Sequence, residues 1–407
     1  MNPLPQRQAI AIFLVFAFAY FISTLIRAIT ATLAPTLVAE FALNARDLGL
    51  LAGGYFLGFA LTQLPLGQWL DRLGPRRVIL GFLSIAVLGT LAFSQAPNFA
   101  WLLAARVLCG VGVSACLMAP LTGFRRWYAP ANLMRANSWM LMVGAMGMVA
   151  STLPVQWLVS VIGWRPLFMV LGVMVLMGMA LIFWQVPAWQ ASQPAQGVVP
   201  VAAPGYGEIW RDPYFRRMAP LGFFNYGGMV AMQTLWAAPW MVKVVGYTPA
   251  QAAMGLFWIN VCMLLAFLVW GSLNPVLAHR GYTTNRLVRL GLPLSFVLFA
   301  TIIIAGPALS TWAGAVWVLY CVSCTVGAQV QPAVGMSFRA ALAGRALSAF
   351  NLVIFAGVFS VQWGVGLLID GFRALGWTEL SAYQGALGVY ALCCVGAYLH
   401  FLTAKKT

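Results

Sequence analysis

Residues Gly67 to Arg77 read Gly-Gln-Trp-Leu-Asp-Arg-Leu-Gly-Pro-Arg-Arg, a charged block set between two long apolar runs. The run before it closes with Thr62, Gln63, Leu64 and Pro65, and the next opens at Val78. Asp71, Arg72, Arg76 and Arg77 cluster where a hairpin of two membrane-length helices would leave the bilayer, and Gly67 and Gly74 let the backbones approach and turn there. A generic basic loop accounts for Arg76 and Arg77. It does not account for an acid and two glycines at this spacing.

Composition sets the surroundings of that block. Hydrophobic residues make up 62% of the 407-residue chain and charged residues 7%, against roughly 25% charged in soluble domains. The length leaves room for about 12 membrane helices with short connections. A net charge of +16 could suggest nucleic acid, but the basic residues sit in short gaps between apolar runs, as orientation in a membrane requires. The apolar run from Ala9 is too long for a cleaved leader and lacks a small-residue cleavage site, so it is read as the first span. All seven cysteines lie inside apolar runs, and Cys321-x-x-Cys324, with no second pair or nearby histidine, reads as helix packing. No N-x-[ST] sequon occurs, which favours a bacterial protein.

Twelve spans are expected near 8–36, 46–70, 76–96, 99–124, 135–160 and 165–187, then 215–241, 250–277, 287–306, 311–337, 345–370 and 380–403. Residues 188–212 between them, rich in Pro, Gln, Ser and Gly, form a linker, giving an N-terminal bundle over 1–187 and a C-terminal bundle over 213–407. With the N-terminus inside, 17 of the 23 Lys and Arg residues fall on inner loops and tails, and only Arg46, Arg165, Lys243 and Arg373 on outer ones. Both termini are therefore placed in the cytoplasm. The halves repeat: Met118-Ala-Pro120-Leu-Thr-Gly123 matches Val330-Gln-Pro332-Ala-Val-Gly335, Arg135-Ala-x-Ser138 matches Arg345-Ala-x-Ser348, and Ala34-Pro35 matches Ala238-Pro239.

The order G-x-x-x-D-R-x-G-x-R-R over Gly67–Arg77 resembles the loop between helices 2 and 3 of the major facilitator superfamily of secondary transporters. In the second half His279-Arg280-Gly281 keeps the glycine and lacks the acid. The resemblance implies an all-α membrane protein of two pseudo-symmetric six-helix bundles with a substrate site between them near the midplane. It further implies that Asp71 pairs with arginines and helix ends, so that Gly67, Asp71, Arg72, Gly74, Arg76 and Arg77 latch one conformation. Arg106 with Gly110 and Gly112 resembles the family's R-x-x-x-G-x-G pattern in span 4, where the arginine bonds neighbouring backbone or supports proton coupling. Span 5, Gly144-Ala-Met-Gly147 through Pro154, departs from the G-x-x-x-G-P-x-x-G-G of drug antiporters.

Two charges fall deep inside spans, Arg27 and Arg106, at similar depth by the helical rise. Each must face a partner or a water-filled cavity. Glu40, Asp47, Asp370 and Glu379 fall at the outer face and no acid lies deep in a span, so the cavity should attract anions. Tyr20, Ser23 and Thr24 form a polar stripe with Arg27. On the second half, Asn225, Tyr226, Gln233, Trp236, Trp258, Gln329 and Asn351 offer hydrogen bonds and stacking surface, Asn225 and Gln233 sharing a face at a spacing of eight. Each of these has a bland alternative as interhelical glue. Candidate substrate contacts are thus Arg27, Arg106, Tyr20, Thr24, Asn225, Tyr226, Gln233, Trp236, Trp258, Gln329 and Asn351.

The expected function is alternating-access transport of a small organic anion or amino-acid-like carboxylate by a monomer in the bacterial inner membrane. With no acid deep in a span, coupling to a proton, coupling to sodium and anion exchange all stay open; no cofactor, metal or nucleic acid is expected. Two alternatives stand beside this reading, a drug exporter and a non-transporting sensor on the same fold. An enzyme is not expected, since nucleotide-binding and nucleophile motifs are missing.

Overall fold

A computed structural model describes residues 4–188 and 206–404. The N-terminal half comprises α1 (Gln6–Phe41), α2 (Ala45–Leu61), α3 (Gln63–Ser94), α4 (Phe99–Val113), α5 (Ala115–Trp127), α6 (Pro130–Ala150), α7 (Leu153–Ile162) and α8 (Trp164–Gln185). After α9 (Tyr206–Arg211) the second half runs through α10 (Pro213–Pro220), α11 (Gly228–Ala231), α12 (Ala237–Lys243), α13 (Pro249–His279) and α14 (Thr284–Ala305). It closes with α15 (Ala313–Cys324), α16 (Val330–Ser337), α17 (Ala340–Ala374) and α18 (Glu379–Thr403).

Among the described residues eight helical stretches are by themselves long and apolar enough to cross a membrane, and a ninth if the pair bent by 44° at Ser151–Thr152 counts as one. The twelve expected spans exceed this number because some are broken and others run together. Span 2 is α2 continued into α3, and α3 breaks at Gly74, whose φ of 77° only glycine adopts at little cost. Spans 9 and 10 run together through a 3₁₀ segment at Gly306–Trp312, kinked at Ser310. Span 4 breaks at Ser114 ahead of Pro120, and span 10 passes through 3₁₀ turns at Thr325–Gln329 ahead of Pro332. The repeated prolines thus sit just past repeated breaks, as expected of a ring that removes one helical bond and clashes with the preceding turn.

Polar caps start the spans where the chain re-enters apolar sequence. Asn44 accepts from Asp47 N–H, Asn98 from Trp101 N–H, and Thr248 forms a reciprocal capping box with Gln251. Outward faces stay apolar and exposed, as at Trp157, Ile304 and Leu392, a surface that calls for lipid rather than water. The final residues of the expected linker form a helix, α9, whose Tyr206 hydroxyl donates to Leu64 O at 3.1 Å; residues 189–205 lie outside the described residues.

The two bundles meet along α2 and α17. A Cβ at Gly49 would lie 2.3 Å from Gln362 O, and one at Gly366 would lie 2.3 Å from Ala45 O, so the backbones touch there. At the Asn44 end of this seam the Asp370 carboxylate accepts from Ala45 N–H at 3.2 Å and Arg46 N–H at 2.7 Å. The start of α2 is therefore capped across the bundle interface. Further in, Phe59 packs on Phe355 with centroids 4.5 Å apart.

Candidate functional site

A cavity of about 230 Å³ lies between the bundles, just inside the Phe59–Phe355 contact. The first bundle contributes Tyr20, Ser23 and Arg27 from α1, Phe59 from α2, Gln63 from α3, and residues flanking the Ser114 break; the second contributes Tyr226, Val230, Gln331, Asn351 and Phe355. Arg27 is the one charged side chain among the described residues lining it. Its guanidinium lies 5.5 Å from the Phe59 centroid and 5.9 Å from that of Phe355, so it touches both bundles. The hydroxyls of Tyr20 and Tyr55 lie close by, while Arg27 Nε is buried without a hydrogen-bond partner. On the far side Gln331 Nε2 donates to Asn351 Oδ1 at 2.5 Å.

Arg106 is at the expected depth but outside this cavity. It is fully buried, donates to Ile26 O at 2.8 Å and Arg27 O at 3.1 Å, and lies 4.9 Å from the Tyr55 ring. Its two bonds grip α1 at the turn that presents Arg27.

Matches to known proteins agree with this architecture. The family model described as Major Facilitator Superfamily matches residues 16–361. The chain belongs to that superfamily. A probable sulfoacetate transporter of Cupriavidus necator is 25% identical over 290 residues, which cover 68% of this chain and 66% of that protein. A niacin transporter of Acinetobacter baylyi is 31% identical over 146 residues, covering 35% of this chain and 33% of its own length. The chain thus spans less than two thirds of these curated relatives. A bacterial homologue of the human lysosomal transporter Spinster has the same fold at a TM-score of 0.79, with 17% identity and 98% of both chains covered.

Within this superfamily fold the expected contacts divide. Arg27, Tyr20, Tyr226 and Asn351 line the cavity. Thr24 is buried and donates to Tyr20 O and Phe21 O of its own helix. Asn225 donates to Cys394 O at 3.4 Å, Gln233 to Asn260 Oδ1 at 2.8 Å, and Trp236 to Gln362 O at 3.1 Å. Gln329 accepts from Asn274 at 2.8 Å, and Trp258 is 51% exposed on the outward face. Asn225 and Gln233 reach different neighbours despite their spacing. The cause is local: Leu221–Gly227 and Met232–Trp236 are π-helical, and the wider turns undo the face that α-helical spacing assigns. Phe59, Gln63, Ser114 and Phe355 line the cavity without having been expected there. Gln63 could have been found, since it ends an apolar run.

The charged block also differs from the expected pairing. Gly74 makes the turn, but a Cβ at Gly67 would meet nothing within 4 Å, so close approach does not require that glycine. Asp71 is exposed and forms no ion pair among the described residues. Arg76 donates to Phe183 O at 2.6 Å and lies 4.9 Å from the Phe183 ring, while Arg72 and Arg77 are exposed. Acid and arginines stand apart because Asp71 precedes the Gly74 break and Arg76 follows it against α8.

Proposed function

We propose that this protein is a secondary transporter that moves a small organic anion across the bacterial inner membrane by alternating access. The supporting observation is Arg27, the one charged side chain among the described residues on the wall of a cavity built by both bundles. A permanently charged fork beside aromatic walls suits a carboxylate or sulfonate, and the sulfoacetate and niacin named for two relatives are anions of that kind. A volume of about 230 Å³ is below the roughly 300–1,000 Å³ of drug-sized sites, which favours a small occupant over the drugs of an exporter. The bundles span 1–187 and 213–407 with a cytoplasmic linker at 188–212 and both termini inside. In that orientation the Asp370-capped seam closes the outer side.

The test is binding of sulfoacetate, nicotinate and matched neutral analogues to purified protein by calorimetry. The anions should bind wild type, Arg27→Lys should bind them about tenfold more weakly through loss of the fork, and Arg27→Ala should bind none. Wild-type affinity in Arg27→Ala would remove the site assignment.

A further inference from the structure

We propose that the carrier is an obligatory anion exchanger, whose central site crosses readily with an anion on Arg27 and hardly at all without one. This rests on the reading of Arg27 as the anion's partner and adds the mode of transport. The chain has seven carboxylates, and all of them lie at the ends of the bundles. Glu40, Asp47, Asp370 and Glu379 are at the Asn44 end, bound to Arg165, Arg46, the α2 backbone and Lys243 respectively. Asp71 lies in the charged block, Glu208 pairs with Arg339, and Asp212 caps α10. His279 and His400 are at the last turns of their helices. Among the described residues, therefore, no carboxylate or imidazole faces the cavity to neutralise Arg27 or to carry a proton across with the substrate; the titratable groups that do face it, Tyr20 and Tyr226, are neutral hydroxyls.

Arg27 cannot discharge itself, because a guanidinium keeps its proton. Its Nε is buried without a partner, and its near neighbours, Phe59, Phe355, Tyr20 and Tyr55, are neutral. Alternating access takes the site through a state closed at both ends, where water is excluded and an uncompensated charge is most costly. A bound carboxylate or sulfonate cancels that charge, so the loaded carrier passes and the unloaded one stalls. One anion then leaves for each that enters.

Proteoliposomes of the full chain test this with radiolabelled nicotinate and sulfoacetate in turn, the vesicles containing the same unlabelled anion or none. Uptake into loaded vesicles should exceed uptake into unloaded ones by about a hundredfold, the order expected for an unpaired buried charge, and a protonophore should leave it unchanged. Gln331→Glu places a carboxylate on the cavity wall, where Asn351 can turn its amide to donate to it. That variant should raise net uptake relative to exchange about tenfold or more, since Arg27 then has a counter-charge between cycles. Equal net and exchange rates in wild type, or accumulation abolished by the protonophore, would overturn the proposal while leaving the anion site standing. Failure of both probes to bind would remove the anion site and this inference with it. If Gln331→Glu does not fold, the wild-type ratio decides alone.

Discussion

Arg27 and Arg106 sit side by side in the first bundle and have opposite energetics. Arg106 is bound to two α1 carbonyls, and each such bond from a charged donor contributes about 1.5–3 kcal/mol. Arg106→Lys keeps the charge but cannot span both carbonyls, so the protein should melt several degrees lower in detergent and bind anions more weakly as Arg27 loses its support. Arg27 bonds no backbone carbonyl among the described residues and has the neutral Tyr20 and Tyr55 hydroxyls as its polar neighbours, so Arg27→Ala should melt close to the wild-type temperature while losing binding. A pair of melting curves checks both, and equal destabilisation by the two substitutions would contradict the division of roles. Depth along a span was legible from sequence, because helical rise fixes it. Rotation was not: Thr24, Gln233 and Trp236 sit at suitable depths and are turned toward their neighbours.

At the scale of elements the seam between α2 and α17 would, under alternating access, belong to one conformer alone. Gly49 admits Gln362 O where the bundles are closed at the Asn44 end, a contact that opening there would break. Gly49→Ala would therefore strain this conformer and not the opposite one. Overpacking of this kind costs about 1–3 kcal/mol, which would shift the equilibrium roughly 5- to 150-fold toward opening there. Asp370→Asn should shift it the same way by less, since a weakened cap is worth about 1 kcal/mol. Accessibility of a thiol introduced at Leu48, with native cysteines replaced, reads the shift; unchanged labelling in both variants would deny the seam a gating role. At the Gly74 end the expected latch is unformed here, with Asp71 exposed, so its pairing would belong to the conformer closed at that end. Asp71→Asn should then slow transport at normal expression by removing charge-assisted bonds from that conformer alone, and wild-type kinetics would show that no such latch operates. Breaks were open to reading but were not read: Pro120, Pro332 and Pro239 each lie within a few residues past one, and the sequence reading used them only to align the two halves.

For the molecule as a whole, orientation decides which solution meets the capped seam and which meets the charged block. The distribution of basic residues, 17 on one set of loops and tails against four on the other, favours an N-in, C-in topology. An asymmetry this large exceeds what a single shifted helix boundary could reverse, because moving one transfers at most the two or three basic residues of one loop. The acids reinforce it indirectly: at the Asn44 end Glu40, Asp47 and Glu379 each pair with one of the few basic residues there, leaving little net charge to hold that face in the cytoplasm. Residue 200 in the linker should therefore be protected, as a single introduced cysteine, from an impermeant maleimide in intact cells and should react after permeabilisation. A cysteine at residue 376, beyond the end of α17, should react in both. Labelling at 200 in intact cells would invert the topology, place the Asp370 cap on the cytoplasmic side, and make this conformer one that opens outward.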